Sequence, residues 1–288
     1  MRKAHFDLTP MPRRLHPGLV MSPLFQRRWV LVTGASSGLG AELSRQLARR
    51  GANLVLTARS ETRLQELARD LARVNGVETR VLPADLAEPG GALALVAKLR
   101  ALDVPIRHVV NNAGIGSAGA FSDLDAERES AMVELNVASV VRLTRALLPS
   151  LVAARDGGIL NVASTVAFQP VPYMATYGAT KAFVVSFTLA LASELEGTGV
   201  RAMALCPGPV RTGFQAAAGI ARPGIPLAVL SATRTIERAL DAYERGERLF
   251  TPGLVNGLQT TAARLLPTSF TTWAAKRTMR RLGRAPRV

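Results

Sequence analysis

The sequence has few of the residues that build disulfides, metal sites or membrane spans. Its 288 residues include one cysteine, Cys206, and three scattered histidines, His5, His16 and His108. One cysteine forms no intrachain disulfide, and neither a thiolate-rich site nor a zinc centre has enough ligands. The longest uncharged run, 157–180, carries polar side chains and two prolines, so it does not resemble a span of about 20 apolar residues. We expect no metal, no membrane span, no secretory signal and a cytoplasmic location.

Acidic residues are scarce at both ends of the chain. The formal net charge is +15, of which residues 1–28 carry +5 and residues 264–288, which contain no acid, carry +7. The folded body therefore carries only +3, without the basic stripe typical of nucleic-acid-binding proteins. We expect no nucleic-acid partner. A composition of 48% hydrophobic residues suits a globular core.

Short apolar runs alternate with helical patterns along the chain. The runs are 29–33, 53–57, 79–83, 108–112, 159–164, 201–206 and 249–252, and the helices are expected near 39–50, 60–74, 89–100, 123–153, 175–196 and 231–245. Continuous apolar strands between helices predict a parallel sheet covered on both faces. The predicted class is α/β, with a single doubly wound domain whose seven-stranded parallel sheet is flanked by helices.

The first strand is followed by the turn Thr-Gly-Ala-Ser-Ser-Gly-Leu-Gly at 33–40. Gly34 permits a sharp turn, Gly38 lets backbone approach a phosphate, and Gly40 lets helix and strand pack closely. The amides at the start of the next helix favour a pyrophosphate. A tight turn without any ligand remains an alternative, because the spacing differs from the standard dinucleotide fingerprint.

The end of the second predicted strand bears on the choice of coenzyme. An acid at this point binds the ribose 2′-hydroxyl of NAD, whereas an arginine suits the 2′-phosphate of NADP. The segment 56–60 ends in Arg59 and Ser60, with no acid before Glu61. The pattern therefore favours NADP(H), and the alternative is that Arg59 is a solvated arginine in an arginine-rich protein.

A catalytic group is predicted from four polar residues. Tyr177 and Lys181 are four residues apart, so they share one face of a helix. The ammonium group is expected to lower the pKa of the tyrosine from its usual value near 10. Ser164 ends the fifth strand, at the sheet edge where open parallel sheets place their sites. Asn136 lies in the helix after the fourth strand.

These elements together resemble the short-chain dehydrogenase/reductase family over about residues 29–252. Further motifs that carry the resemblance are Asp85-Leu86, Asn111-Asn112-Ala113-Gly114 and Pro-Gly-Pro-Val-Arg-Thr at 207–212. The resemblance implies a Rossmann-type fold. It also implies that the cofactor is bound by Gly34, Ser36, Ser37, Gly38, Leu39, Gly40, Arg59, Asp85, Leu86, Asn112, Ala113, Gly114, Tyr177, Lys181, Pro207, Gly208, Val210 and Thr212.

The same resemblance implies the catalytic roles. Tyr177 is the acid or base for the substrate oxygen, and Ser164 donates a hydrogen bond to that oxygen. Lys181 holds the nicotinamide ribose and lowers the pKa of Tyr177, while Asn136 helps hold a water that links Lys181 to solvent. Tyr173 is expected to form a wall of the substrate pocket.

We therefore expect an oxidoreductase that transfers a hydride between NADP(H) and a carbonyl or secondary alcohol. The segment 213–230 resembles a substrate lid and is apolar except for Gln215 and Arg222, which favours a lipophilic ketone or a 3-oxoacyl-type substrate. The alternative is that these residues merely pack. A non-catalytic NADP-sensing regulator on the same fold is the alternative function.

Three parts are predicted: a flexible basic arm at 1–28, the dinucleotide-binding and catalytic domain at 29–252, and a basic helical extension at 253–288. The apolar helices at 123–153 and 175–196 predict a homodimer or homotetramer. In the extension, Phe270 and Trp273 are interleaved with basic residues. This pattern fits weak peripheral membrane contact. Alternatively, the aromatic residues cover the substrate cleft or a subunit contact, and the arginines stay solvated.

Overall fold

A computed structural model describes residues 22–220 and 229–282, with only the backbone for 281 and 282. Seven parallel strands form one sheet in the order β3-β2-β1-β4-β5-β6-β7. The strands are β1 (Trp29–Thr33), β2 (Asn53–Thr57), β3 (Thr79–Val81), β4 (Ile106–Asn111), β5 (Gly158–Val162), β6 (Arg201–Leu205) and β7 (Leu249–Phe250). The predicted doubly wound parallel sheet is confirmed. Its order reverses between β1 and β4, where a crevice opens at the carboxyl ends of the strands.

Helices cover both faces of this sheet. They are α1 (Gly38–Arg49), α2 (Glu61–Asn75), α3 (Gly91–Ala101), α4 (Ala126–Val133), α5 (Ser139–Ala154), α6 (Ala175–Glu194), α7 (Phe214–Ala217), α8 (Ala232–Glu244), α9 (Leu254–Leu265) and α10 (Thr268–Leu282). Val30 and Val32 belong to the core beneath α1, α2 and α8. Leu31 belongs to the opposite core, beneath α3, α5 and α6. Burial of alternate residues on two faces explains why β1 is apolar throughout.

Several predicted elements have different limits in the structure, and the fourth helix and third strand show why. The helix expected at 123–153 begins only at Ala126, where the Asp125 side chain accepts a hydrogen bond from the Arg128 amide. A π-helical turn, Glu134–Ala138, then separates α4 from α5. Strand β3 ends at Val81, two residues before Pro83, which has no N–H to donate to a neighbouring strand.

The predicted flexible arm is wrong for residues 22–28. Phe25 is 1% exposed and its ring centroid lies 5.0 Å from that of His108. His108 also contacts the Tyr243 hydroxyl through Nδ1 at 2.9 Å and the Leu24 carbonyl through Nε2 at 3.1 Å. Burial lowers the pKa of His108 to about 4. Burial of the Phe25 ring holds residues 22–28 against the core, although the sequence there has no periodic pattern that would predict this. Residues 1–21 lie outside the described part.

Two helical segments, Ala126–Ala154 and Ala175–Glu194, are long and apolar enough to cross a membrane. Both lie against the sheet, where Leu143, Leu151 and Leu191 are buried. Helices that cover a sheet often meet the same two criteria of length and composition. The finding is therefore weak evidence for a membrane span.

Candidate active site

The glycine turn lies between β1 and α1 at the crevice. Gly34 and Gly38 have φ values of 66° and 55°, a left-handed region that glycine adopts without strain. A Cβ on Gly40 would collide with the carbonyl oxygen of Gly34, so only glycine permits this approach. Ser37 and Gly38 are exposed at the start of α1, while Ser36 and Leu39 are half-buried beside them. The turn thus leaves backbone amides and small side chains free to face an anionic group.

Residues after β4 are tied directly to this turn. The Asn112 side-chain amide donates to the Thr33 carbonyl oxygen at 2.9 Å. The Thr33 hydroxyl in turn accepts from the backbone amides of Asn112, at 2.9 Å, and Ala113, at 3.0 Å. These bonds hold the loop containing Gly114 against the end of β1. The sequence analysis did not identify Thr33 as a site residue, because a threonine at a strand end is common.

Arg59 and Asp85 follow β2 and β3 at the same edge of the sheet. The Arg59 guanidinium is 74% exposed, and its Nη1 lies 4.0 Å from an Asp85 carboxylate oxygen. The other Asp85 oxygen accepts from the Ala87 amide at 2.9 Å, which fixes the loop, and Leu86 is buried beneath it. Arg59 therefore retains donors that can reach a phosphate from the cofactor crevice.

The four predicted catalytic residues lie together. Ser164 follows β5, and its side chain lies close enough to Tyr177 to lower the pKa of that phenol. The Lys181 ammonium donates to the Val162 carbonyl oxygen at 2.8 Å and lies 5.8 Å from the centre of the Tyr177 ring. Tyr177, Lys181 and Ser164 are all buried. The first two lie in the opening turns of α6, which begins at Ala175 and packs against β5.

The expected lowering of the Tyr177 pKa is wrong. Burial raises the pKa of Tyr177 to about 12, and the neighbouring Ser164 hydroxyl offsets only part of that rise. Burial also lowers the pKa of Lys181 to about 8. Desolvation penalises both charged forms, so it exceeds the attraction that the sequence spacing suggested. The tyrosine holds its proton at neutral pH.

Asn136 lies in the π-helical turn, which directs its side chain towards the loop after β4. Its Nδ2 donates to the Ile115 carbonyl oxygen at 2.9 Å and to the Thr180 hydroxyl at 3.1 Å. Its Oδ1 accepts from the Ile115 amide at 3.0 Å. A Cβ on Gly114 would lie 3.4 Å from the Lys181 nitrogen and 3.1 Å from Asn136 Oδ1. Asn136 thus connects the α6 residues to the cofactor loop.

The segment 207–212 borders the other side of the crevice. Pro207 accepts a hydrogen bond from the Thr165 amide at 3.0 Å, and Val210 pairs with Leu230 through an isolated β-bridge. A Cβ on Gly208 would collide with the Asn256 side chain, which ties the segment to α9. Thr212 lies near Gly38 across the crevice. The two ends of the predicted cofactor site therefore face each other.

An apolar cluster surrounds the Tyr177 ring. Its buried members are Met132, Val171, Met174 and Tyr177, and the half-buried side chains packed on them include Phe214, Ile220 and Met279. The rings of Phe214 and Tyr177 have centroids 5.4 Å apart. Of the predicted lid, 221–228 with Arg222 lies outside the described residues. Tyr173 adopts a positive φ of 69°, and its hydroxyl contacts Arg280 Nε at 3.2 Å.

Sequence reasoning missed several residues that shape this cleft. Arg128 donates to the carbonyl oxygens of Ala217, at 2.7 Å, and Gly116, at 3.1 Å, so it links α7 to the loop after β4. Met279 reaches the Tyr177 cluster from α10. No local sequence motif predicts that Arg128 or Met279 lies at the cleft, because their contact partners are distant in sequence. Cys206 is buried, and burial raises the pKa of its thiol to about 12.

Known proteins share this arrangement. The family model of the short chain dehydrogenase matches residues 28–222. Sulfoacetaldehyde reductase 2 of Chromohalobacter salexigens is 37% identical over 187 residues, which are 64% of this chain and 73% of that protein. A very-long-chain 3-oxoacyl-CoA reductase of Podospora anserina is 40% identical over 60% of this chain and 52% of its own length.

A solved structure of a short-chain dehydrogenase from Sphingobium yanoikuyae in complex with NADPH is also similar. It is 35% identical, has a TM-score of 0.74, and the match covers 84% of this chain and 97% of that one. The likeness therefore includes nearly all of the relative's fold. With the glycine turn, the sheet order and the Ser164–Tyr177–Lys181 group in place, the chain belongs to the short-chain dehydrogenase family.

Proposed function

We propose that the chain reduces a lipophilic ketone or 3-oxoacyl-type compound with NADPH. The observation that carries this proposal is that Ser164 lies beside Tyr177, whose ring is packed in an apolar cluster at the crevice. An apolar lining favours a substrate that buries hydrocarbon next to its carbonyl group. The chain is an NADP(H)-dependent oxidoreductase in this proposal, with the carbonyl compound as its small-molecule partner.

The residues present fit a phosphorylated dinucleotide. The glycine turn exposes amides for the pyrophosphate, and Arg59 offers donors where an acid would select against a 2′-phosphate. Lys181 lies beside Gly114, within the crevice, where ribose hydroxyls could accept from its ammonium group. NADPH, when bound, supplies the hydride. The NADPH complex of the Sphingobium relative supports the same cofactor for this chain.

Proton transfer follows from the environment of Tyr177. A phenol with a pKa of about 12 is protonated at neutral pH, which suits donation of its proton to a carbonyl oxygen that gains negative charge. The Ser164 hydroxyl is placed to donate a second hydrogen bond to that oxygen. The Lys181 ammonium nearby would stabilise the phenolate that remains. The site thus favours reduction of a carbonyl at neutral pH.

The two named relatives have different substrates in their names, one small and polar and the other a long acyl thioester. Phe214, Met174 and Ile220 all belong to or pack on the cluster around Tyr177. Three apolar side chains leave a charged sulfonate without a partner, whereas they can contact an acyl or ring carbon skeleton. The second class is therefore the one we propose.

A homodimer or homotetramer is part of the proposal. Val133 on α4, Val152 on α5 and Phe183 on α6 are large apolar side chains that remain exposed on the helices covering one sheet face. The Phe183 ring stacks on that of Phe187 at a centroid distance of 5.8 Å. Pairing of these helices between two copies would bury them. Light scattering at micromolar concentration tests this, and a monomeric mass would contradict it.

The decisive test of function is oxidation of NADPH by the purified protein over a panel of carbonyl compounds. The panel contains cyclic and aromatic ketones, 3-oxoacyl thioesters of rising chain length, and short polar aldehydes as controls. We expect kcat/KM to rise with the apolar area of the substrate. Turnover confined to the short polar aldehydes would refute the substrate class, and no turnover of any compound would favour a nucleotide-sensing protein.

A further inference from the structure

Helix α9 buries polar side chains and exposes apolar ones. Its buried side chains include the polar residues Asn256 and Thr260. Leu254, Leu258 and Leu265 lie along one helical face and are 86%, 72% and 80% exposed. Surface helices normally turn their apolar face to the core and their polar face to water. Three exposed leucines on one helical face therefore indicate a surface that binds an apolar partner.

Helix α10 follows α9 along the chain and also exposes large apolar side chains. It turns Thr271 and Ala275 towards the protein, where both are buried, and leaves Phe270 and Trp273 exposed. The rings of Phe270 and Trp273 have centroids 5.9 Å apart. Phe270 and Trp273 are 50% and 57% exposed, so neither ring is packed inside the apolar cluster around Tyr177. Met279, not an aromatic residue, contacts the Tyr177 cluster.

The charge around these apolar residues has one sign. No aspartate or glutamate follows Glu247, whereas residues 264–288 contain seven lysines and arginines. Among the described ones, Arg277 lies over the Trp273 ring at 5.9 Å, and Lys276 and Arg277 are exposed on the same helix. A two-fold contact between copies through this face would oppose like charges. An anionic surface complements it instead.

We propose that the lipid-facing surface, defined by Leu254, Leu258, Leu265, Phe270 and Trp273 with the basic residues of α10, docks on an anionic lipid bilayer. Exposed leucines enter the boundary between headgroups and acyl chains, the Phe270–Trp273 pair lies at headgroup level, and the basic residues contact lipid phosphates. Because Arg280 contacts the Tyr173 hydroxyl beside the cleft, docking brings the substrate entrance close to the lipid.

The test is co-sedimentation of the full chain with vesicles. One set contains phosphatidylcholine alone, and the other contains about one third phosphatidylglycerol. We expect binding to the anionic vesicles that weakens from low to physiological salt, and little binding to the neutral ones. A supernatant that retains the protein with anionic vesicles at low salt overturns the proposal, whatever the catalytic activity is.

Two variants locate the contact. Leu258→Glu is expected to lower the partition coefficient at least about tenfold, because it removes apolar area and adds repulsion. Leu93→Glu is the matched control, since Leu93 on α3 is also exposed, at 60%, on a different surface; it should change the coefficient less than about twofold. Equal effects of the two substitutions would contradict docking through this surface.

Trp273 provides an independent signal. The only other tryptophan, Trp29, is buried in β1. Anionic vesicles should therefore shift the fluorescence of the native chain to shorter wavelength, and Trp273→Phe should abolish that shift while retaining sedimentation. A lipid-free oligomer that dissociates in Leu258→Glu would instead identify this face as a subunit contact, which overturns the proposal.

Discussion

Arg59 offers the sharpest test of the cofactor site. Its guanidinium is 74% exposed and its nearest described carboxylate, on Asp85, is at 4.0 Å, so the side chain has donors left for a 2′-phosphate. A hydrogen bond to a charged group contributes about 1.5–3 kcal/mol, and exposure to water favours the lower end. Arg59→Ala should therefore weaken NADPH binding about tenfold.

NADH lacks the 2′-phosphate, so its affinity should change less than about twofold in the same variant. Arg59→Asp should weaken NADPH binding more than Arg59→Ala does, because the new carboxylate near Asp85 repels the 2′-phosphate. The same carboxylate can accept a hydrogen bond from the ribose 2′-hydroxyl of NADH. We expect that variant to prefer NADH. Fluorescence titration of both cofactors at two ionic strengths measures these changes, and the NADPH loss should be smaller at the higher one.

Arg73→Ala is the matched control. Arg73 on α2 is 75% exposed and also pairs with an aspartate, Asp70, at 3.3 Å. It carries the same charge as Arg59 but does not follow a strand at the crevice. The Arg73→Ala substitution should leave the affinities for NADPH and NADH unchanged. If Arg59→Ala lowered the affinities for NADPH and NADH equally, Arg59 would not contact the 2′-phosphate, and the assignment of NADP(H) from this position would be refuted.

Four further predictions concern the proton donor, the pH dependence of catalysis, the core and the pH dependence of stability. Tyr177→Phe should lower turnover by about 100- to 10,000-fold with little change in NADPH affinity, and near-normal turnover would mean that another group donates the proton. The pKa of Lys181 is lowered to about 8, so its ammonium group is present below pH 8 and kcat/KM for reduction should fall above that pH. Lys181→Arg stays charged, so in this variant the fall should move to higher pH. A fall at the same pH in both proteins would assign the titration to another group. Phe25→Ala should destabilise the fold by about 3–5 kcal/mol in denaturant unfolding, whereas a mobile residue 25 would cost under about 0.5 kcal/mol. His108, whose pKa is lowered to about 4 from 6.5, contributes stability that is complete above pH 6.5 and is lost as the pH falls towards 4.

Local patterns determined the fold because parallel strands buried on both faces are predominantly apolar. The runs at 29–33 and 53–57 coincide with β1 and β2 for this reason. The glycine turn could also be predicted, since Gly34 needs a left-handed φ and Gly40 a missing Cβ. Tyr177 and Lys181 share a helix, so their proximity follows from their spacing alone.

Contacts between distant parts of the chain could not be read in this way. Arg128 meets the Ala217 carbonyl 89 positions later, and Asn256 meets Gly208 from a helix outside the family match. Neither residue type is rare enough to signal its partner. The sequence predicts a flexible segment around Phe25, because the segment has no periodic pattern. In the structure Phe25 enters a core built from β4 and α8.

Protonation and the use of the C-terminal helices also depended on tertiary structure. The sequence places an ammonium group beside Tyr177, but only the folded chain shows that both groups are buried, and desolvation then raises the tyrosine pKa. The leucines of α9 look like core residues in sequence, yet the fold leaves them exposed. Sequence determines which surfaces of an element are apolar, whereas burial and electrostatic energy depend on what the rest of the chain places against them.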